Sequence, residues 1–87
     1  QYELSQNYPN PFNPITKIEF SIQEDVNNVT LSIYNMLGEK VTELVNGSLT
    51  AGRHSYHWNA QNVATGIYIY ELRTDKFVSI KKMILIK

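Results

Sequence analysis

Residues 64–72 read Ala64-Thr65-Gly66-Ile67-Tyr68-Ile69-Tyr70-Glu71-Leu72. A glycine turn opens into a run in which Tyr68, Tyr70 and Leu72 alternate with Ile67, Ile69 and Glu71. Alternation of period two is strand geometry, and apolar residues on both sides predict a central, covered strand. Tyr68 stands two residues after the turn glycine, at the strand entrance. In that place a tyrosine packs its ring inside and caps a nearby backbone group with its hydroxyl. The run just before it, His54, Tyr56 and Trp58 alternating with Ser55 and His57, reads the same way, as a second central strand.

Further out, Ile18, Phe20 and Ile22 alternate with Lys17, Glu19 and Ser21, and Val29, Leu31 and Ile33 alternate with Thr30, Ser32 and Tyr34. These runs put one face in a core and the other in water. Phe77 to Ile86 reads as a long final strand with β-branched Val78, Ile80, Ile84 and Ile86. Turn signals separate the runs: Glu24-Asp25 with Asn27-Asn28, Leu37-Gly38, Asn46-Gly47, Ala51-Gly52, Thr65-Gly66 and Thr74-Asp75. No stretch has helical periodicity. The chain therefore predicts an all-β fold, an antiparallel β-sandwich of six to seven strands. Ile18, Phe20, Leu31, Ile33, Trp58, Tyr68 and Tyr70 are its expected core. Tyr68 resembles the tyrosine corner of immunoglobulin-type (Ig-like) sandwiches. Tyr70 then falls where an Ig domain has its second cysteine, and Trp58 falls one strand away from the usual Ig tryptophan.

Eighty-seven residues make one small domain with one modest core. There is no cysteine, so packing alone holds the fold, and a disulfide scaffold or zinc-thiolate site is excluded. Zero net charge argues against nucleic acid as a partner. That zero hides an asymmetry. Lys76, Lys81, Lys82 and Lys87 crowd the last twelve residues, where no Asp or Glu occurs. They fit an edge strand guarded against aggregation, and equally a basic recognition tail. No apolar run approaches the ~20 residues of a membrane helix, so membrane insertion is not expected. The chain begins at Gln1 without a Met or a signal peptide, which predicts a piece of a longer protein with any export signal upstream.

Residues 1–14 form an Asn/Pro-rich lead-in segment or linker end, and residues 15–87 the sandwich. Pro9, Pro11 and Pro14 cannot donate to a ladder, while Asn7, Asn10 and Asn13 can cap turns. The segment is expected to be rigid and extended and to fold Tyr8 and Phe12 onto the sandwich, joining it to whatever precedes.

No catalytic residues, cofactor or metal site are expected. His54 and His57 are three apart, which on a strand points them to opposite faces. A triad could be composed from Ser55, His57 and Asp75, but any small domain supplies such letters. Glu24, Asp25 and Asp75 are too sparse for a calcium cage. The aromatic residues suit either a core or a sugar platform, and a platform needs several of them exposed in a row. Asn28-Val29-Thr30 and Asn46-Gly47-Ser48 match the N-glycosylation pattern, read here as accidental.

Four motifs stand in series: Asn7-Tyr8-Pro9-Asn10-Pro11-Phe12-Asn13-Pro14, Leu37-Gly38-Glu39-Lys40-Val41, Gly66-Ile67-Tyr68-Ile69-Tyr70-Glu71-Leu72 and Lys81-Lys82-Met83-Ile84-Leu85-Ile86-Lys87. In this order and spacing, from about Tyr8 to Lys87, the chain resembles the type A C-terminal sorting domain of the bacterial type IX (Por) secretion system. The resemblance implies an Ig-like fold and a function as a secretion signal. It implies a cargo domain N-terminal in the same chain, recognition by the outer-membrane translocon, and removal by a sortase-like peptidase. The cargo would reach the medium or the cell surface via the periplasm. Asn10, Pro11, Phe12, Gly38, Trp58, Gly66 and Tyr68 match the family's structural motif positions.

The expected recognition element is the last strand, Lys81, Lys82, Met83, Ile84, Leu85, Ile86 and Lys87. Free edge groups would allow strand addition, with pockets reading Met83 and Leu85 or Ile84 and Ile86, and lysines adding charge selection. Where the family often has Asp, this chain has Asn35 and Asn59, and where it often has Arg after Leu-Gly it has Glu39. Asparagine serves turns as well as aspartate, so the turns are expected to survive. Two other functions fit the same letters: a structural Ig-like spacer, or a glycan-binding accessory module of a secreted enzyme.

Overall fold

The computed structural model describes residues 1–87 as seven strands and no helix: β1 Glu3–Leu4, β2 Ile15–Ile22, β3 Val26–Tyr34, β4 Lys40–Leu49, β5 Gly52–Asn59, β6 Gly66–Arg73 and β7 Val78–Leu85. They form two antiparallel sheets, ordered β1-β2-β5 and β4-β3-β6-β7. The chain passes between sheets at β2–β3, β4–β5 and β5–β6, which gives an Ig-like sandwich.

Alternation explains which side chains meet. Ile18, Phe20 and Ile22 of β2, Val29, Leu31 and Ile33 of β3, Tyr68, Tyr70 and Leu72 of β6, and Met83 and Leu85 of β7 all point inward and are buried. Trp58 of β5 packs edge-on against Tyr68 of the facing sheet, with ring centres 5.5 Å apart. Phe12 lies tilted against the same indole at 5.8 Å. The expected core residues are therefore all in the core. The Tyr68 hydroxyl donates to the Ala64 carbonyl four residues upstream, which is the tyrosine corner anticipated from Gly66 and Tyr68.

Four expectations need correction. Strand β5 is not central. It pairs with β2 alone, and only its His54, Tyr56 and Trp58 row faces in. Ser55 and His57 are polar and lie in solvent, as an edge strand allows. Asn46-Gly47 is not a turn, because it lies inside β4, where Gly47 pairs with Val29. Register shifts break the β3–β4 ladder beside Asn27-Asn28 and again further along. The residues that signal turns also serve bulges. Tyr8 is not folded onto the sandwich. Its backbone bridges Lys17, the residue is 76% exposed, and it is Asn7 that is buried.

The fourth correction concerns β7. It is an edge strand, yet its edge is only partly free. Along its outer side the Lys82 carbonyl, both Ile84 groups and the Ile86 amide are already bonded, and their partners come from residues 6–12.

Candidate functional site

The lead-in segment crosses from β1 in one sheet to the edge of β7 in the other. Proline rules it out of a regular ladder, so side chains and single backbone groups make its bonds. Gln6 Nε2 donates to the Lys82 carbonyl at 2.8 Å. Asn10 Oδ1 accepts from the Ile84 amide at 2.9 Å. The Phe12 amide donates to the Ile84 carbonyl at 2.9 Å, and the Ile86 amide donates to the Phe12 carbonyl at 3.0 Å. Phe12 runs parallel to Leu85 there, with its ring buried against Trp58. Pro11 between them is exposed and fixes the chain direction.

A buried polar knot holds the other end of the segment. The Tyr70 hydroxyl donates to the Ser5 carbonyl at 2.7 Å and accepts from the Asn7 amide at 2.8 Å. Asn7 Nδ2 donates to Thr16 Oγ1 at 3.0 Å, and Thr16 Oγ1 donates to the Pro9 carbonyl at 2.9 Å. The sequence signalled neither contact, since nothing about a tyrosine in a strand says that its hydroxyl crosses to a chain end over sixty positions away. Tyr70, Asn7 and Thr16 are buried, so their donors and acceptors must find partners within the knot.

Burial pushes the Tyr70 phenol up from its ordinary 10.0 to about 12, partly offset by the Asn7 amide bonded to its oxygen. The unfolded chain loses this proton near pH 10, while the folded chain holds it to about pH 12. Between those values the unfolded state binds fewer protons, so stability is complete below pH 10 and falls as pH rises. The two-unit gap sets a ceiling of about 3 kcal/mol on that loss. Tyr70→Phe should cost about 1–3 kcal/mol at neutral pH, because it leaves the Ser5 carbonyl and Asn7 amide unpaired. Melting curves from about pH 8 to about pH 11.5 should show the wild type converging on Tyr70→Phe. Parallel curves would contradict this assignment.

The matched turn positions behave as asparagine permits. Asn35 Oδ1 accepts from the Leu37 amide at 2.9 Å and the Glu39 amide at 3.0 Å. Asn35 Nδ2 donates to Glu39 Oε1 at 2.7 Å, so an amide–carboxylate pair stands where the resemblance implied an Asp and an Arg. Gly38 closes this turn at φ +85°, a left-handed conformation that favours glycine. Asn59 Oδ1 accepts from the Gln61 amide at 3.1 Å and holds the corner after Trp58. Gly66 opens β6 opposite Leu85.

The last strand splits into two rows. Met83 and Leu85 are buried in the core, so neither is on the surface of the folded domain. Lys81 is half-buried at the margin of that inward row. Lys82, Ile84 and Ile86 face outward, and Lys87 places its ammonium 2.7 Å from the Gln61 carbonyl. The cations elsewhere are neutralised. Lys17 and Arg53 lie against Glu19, Lys40 against Glu43, Arg73 against Glu71 and Lys76 against Glu24, at 2.9–3.7 Å. Lys81, Lys82 and Lys87 have no carboxylate partner. The charge asymmetry of the sequence therefore becomes a positive edge in the fold.

Nowhere do three His, Asp or Glu side chains gather as metal ligands would. His54 stacks on Phe20 inside, and His57 stands outside. A cavity of about 70 Å³, lined by residues including Tyr2, Glu24, Asp75 and Lys76, is far below the ~300 Å³ of small-molecule sites. Trp58 and Tyr68 are buried, and Tyr8 is the only aromatic side chain standing fully in solvent, so no row of rings offers a sugar platform.

No curated protein matches the chain. A comparison with protein families matches residues 6–87 to the secretion system C-terminal sorting domain, beginning at Gln6 of the lead-in segment and running through β7. The chain belongs to this family, the sorting signals of type IX secretion.

Proposed function

We propose that the domain works as a folded label. A larger cargo precedes it in the chain, the outer-membrane type IX translocon binds the label on its periplasmic side, and a sortase-like peptidase separates it from the cargo afterwards. Sorting signals are not an enzymatic family, and they serve proteins secreted across the outer membrane or displayed at the cell surface. The observation that carries the proposal is the family match over residues 6–87. The positive edge of β7 supports it, because the lysines left without carboxylates are those of the final motif.

The surface-readable part of the recognition element is Lys82, Ile84, Ile86 and Lys87, with Lys81 at its margin. Met83 and Leu85 contribute by holding the strand in place. The capped edge argues against strand addition along Lys82–Ile86 unless residues 6–12 first move away.

A reporter bearing an ordinary inner-membrane export signal, with this chain at its C-terminus, should leave the cell in a host with a type IX system. The same reporter without the domain should stay in the periplasm. Mass spectrometry of the exported reporter should show the domain removed. Equal periplasmic retention of both reporters would refute the proposal.

A further inference from the structure

Seen from outside the four-stranded sheet, β7 presents Val78, Ile80, Lys82, Ile84 and then Ile86. Ile67 of β6 lies directly beside Ile84, and Ile69 beside Lys82. Ile80 is 58% exposed, Ile84 37% and Ile67 38%. Beyond β6 this face turns polar, with Ser32 bonded to Glu43, and Glu71 and Arg73, bonded to each other, lie on β6 beside Ile80 and Val78. The apolar surface is thus gathered on β7 and on the Ile67–Ile69 end of β6, around the unpaired ammonium of Lys82.

We infer that this isoleucine face around Lys82 is the surface by which the folded domain docks, side chains first, onto a protein partner presenting apolar side chains and a carboxylate. The inference rests on the sorting function proposed above and names the surface and the partner chemistry for it. Three observations carry it. The Lys82 and Ile84 carbonyls and the Ile84 and Ile86 amides along the β7 edge are already bonded, so strand addition has only the groups from Val78 to the Lys82 amide to use. Ile67, Ile69, Ile84 and Ile86 are neighbours on this face, and Ile80 and Val78 continue the β7 row beyond Lys82. Lys82 lacks a partner of its own, so an acidic group on the other surface completes it.

The same geometry disfavours a second copy of this chain. Lys82 is the middle of the row 78–86, so a two-fold pairing of rows brings Lys82 opposite Lys82, and like charges facing across strands repel. A lipid surface fits less well, because the aromatic on this face, Tyr34 opposite Ile69, is half-buried rather than standing out to reach a membrane interface.

Two measurements test the inference in a type IX host with the reporter fused ahead of Gln1. A photo-crosslinking amino acid at Ile80 or Ile84 should form an adduct with a protein of the outer-membrane export machinery, and one at His57, on the outside of the other sheet, should not. The pair Ile80→Ser with Ile84→Ser, and separately Lys82→Glu, should slow export about tenfold or more while melting like the wild type, as expected when a buried anchor or charge partner of an interface is lost. Adducts only with a second copy or with lipid would overturn the inference. So would equal adducts at His57, or wild-type export rates for folded variants. If the wild-type domain itself fails to export the reporter, the sorting function falls instead.

Discussion

Deleting Lys82 to Lys87 should unfold the domain. The deletion removes Met83 and Leu85, both fully buried. It also removes the Ile84 and Ile86 backbone groups to which Asn10 and Phe12 are bonded. Each lost core side chain costs about 2–5 kcal/mol, and Phe12 loses its seat beside Leu85 as well. A domain of this size has a total stability of roughly 4–13 kcal/mol. The truncated chain should lack a cooperative melt and show a solvent-exposed Trp58 by fluorescence. A truncated chain that melts near the wild-type temperature would mean that β7 is not part of the core. The same arithmetic makes truncation a poor probe of recognition, since export would fail from unfolding alone.

Trp58→Ala should come next in severity, at about 3–5 kcal/mol. The indole is 6% exposed and stands between two other rings, Phe12 at 5.8 Å and Tyr68 at 5.5 Å. Aromatic pairs contribute about 0.5–1.5 kcal/mol beyond the area they bury, and here both pairs vanish together. The loss would loosen the tyrosine corner on one side and the lead-in segment on the other. Urea unfolding should show a midpoint far below that of the wild type, with the chain partly unfolded in buffer. A shift of under about 1 kcal/mol would place Trp58 outside the centre of the core.

Strand periodicity made most of the sandwich legible. Ile18, Phe20, Leu31, Ile33 and Tyr70 alternate with polar or half-buried neighbours, and a period of two leaves one way to bury them. Gly66 and Tyr68 supplied the corner because its hydroxyl bond is local, four residues back. Longer-range features were not legible. Whether β5 lies inside or at the edge depends on which strands pair beside it, and its own letters do not encode that. Asn46-Gly47 is a sound turn signal that the ladder with Val29 overrode. The capped edge of β7 was hidden for the same reason. Asn10 and Ile84 are seventy-four positions apart, and only the folded sandwich brings them within 2.9 Å.

The site was legible in composition and not in geometry. The lysines of the last twelve residues were visible as a cluster. Their isolation from carboxylates was not, since it depends on which glutamates the other cations find. Ile84 and Ile86 could be told from Met83 and Leu85 by parity, but not which pair faced out, because both pairs are apolar.

The most direct measurement compares one reporter, carrying this chain at its C-terminus, in two otherwise identical hosts, one with the type IX translocon and one without it. The reporter should reach the medium or cell surface in the first host and accumulate, folded, in the periplasm of the second. Equal distribution of the reporter in the two hosts would contradict a sorting function for this sandwich.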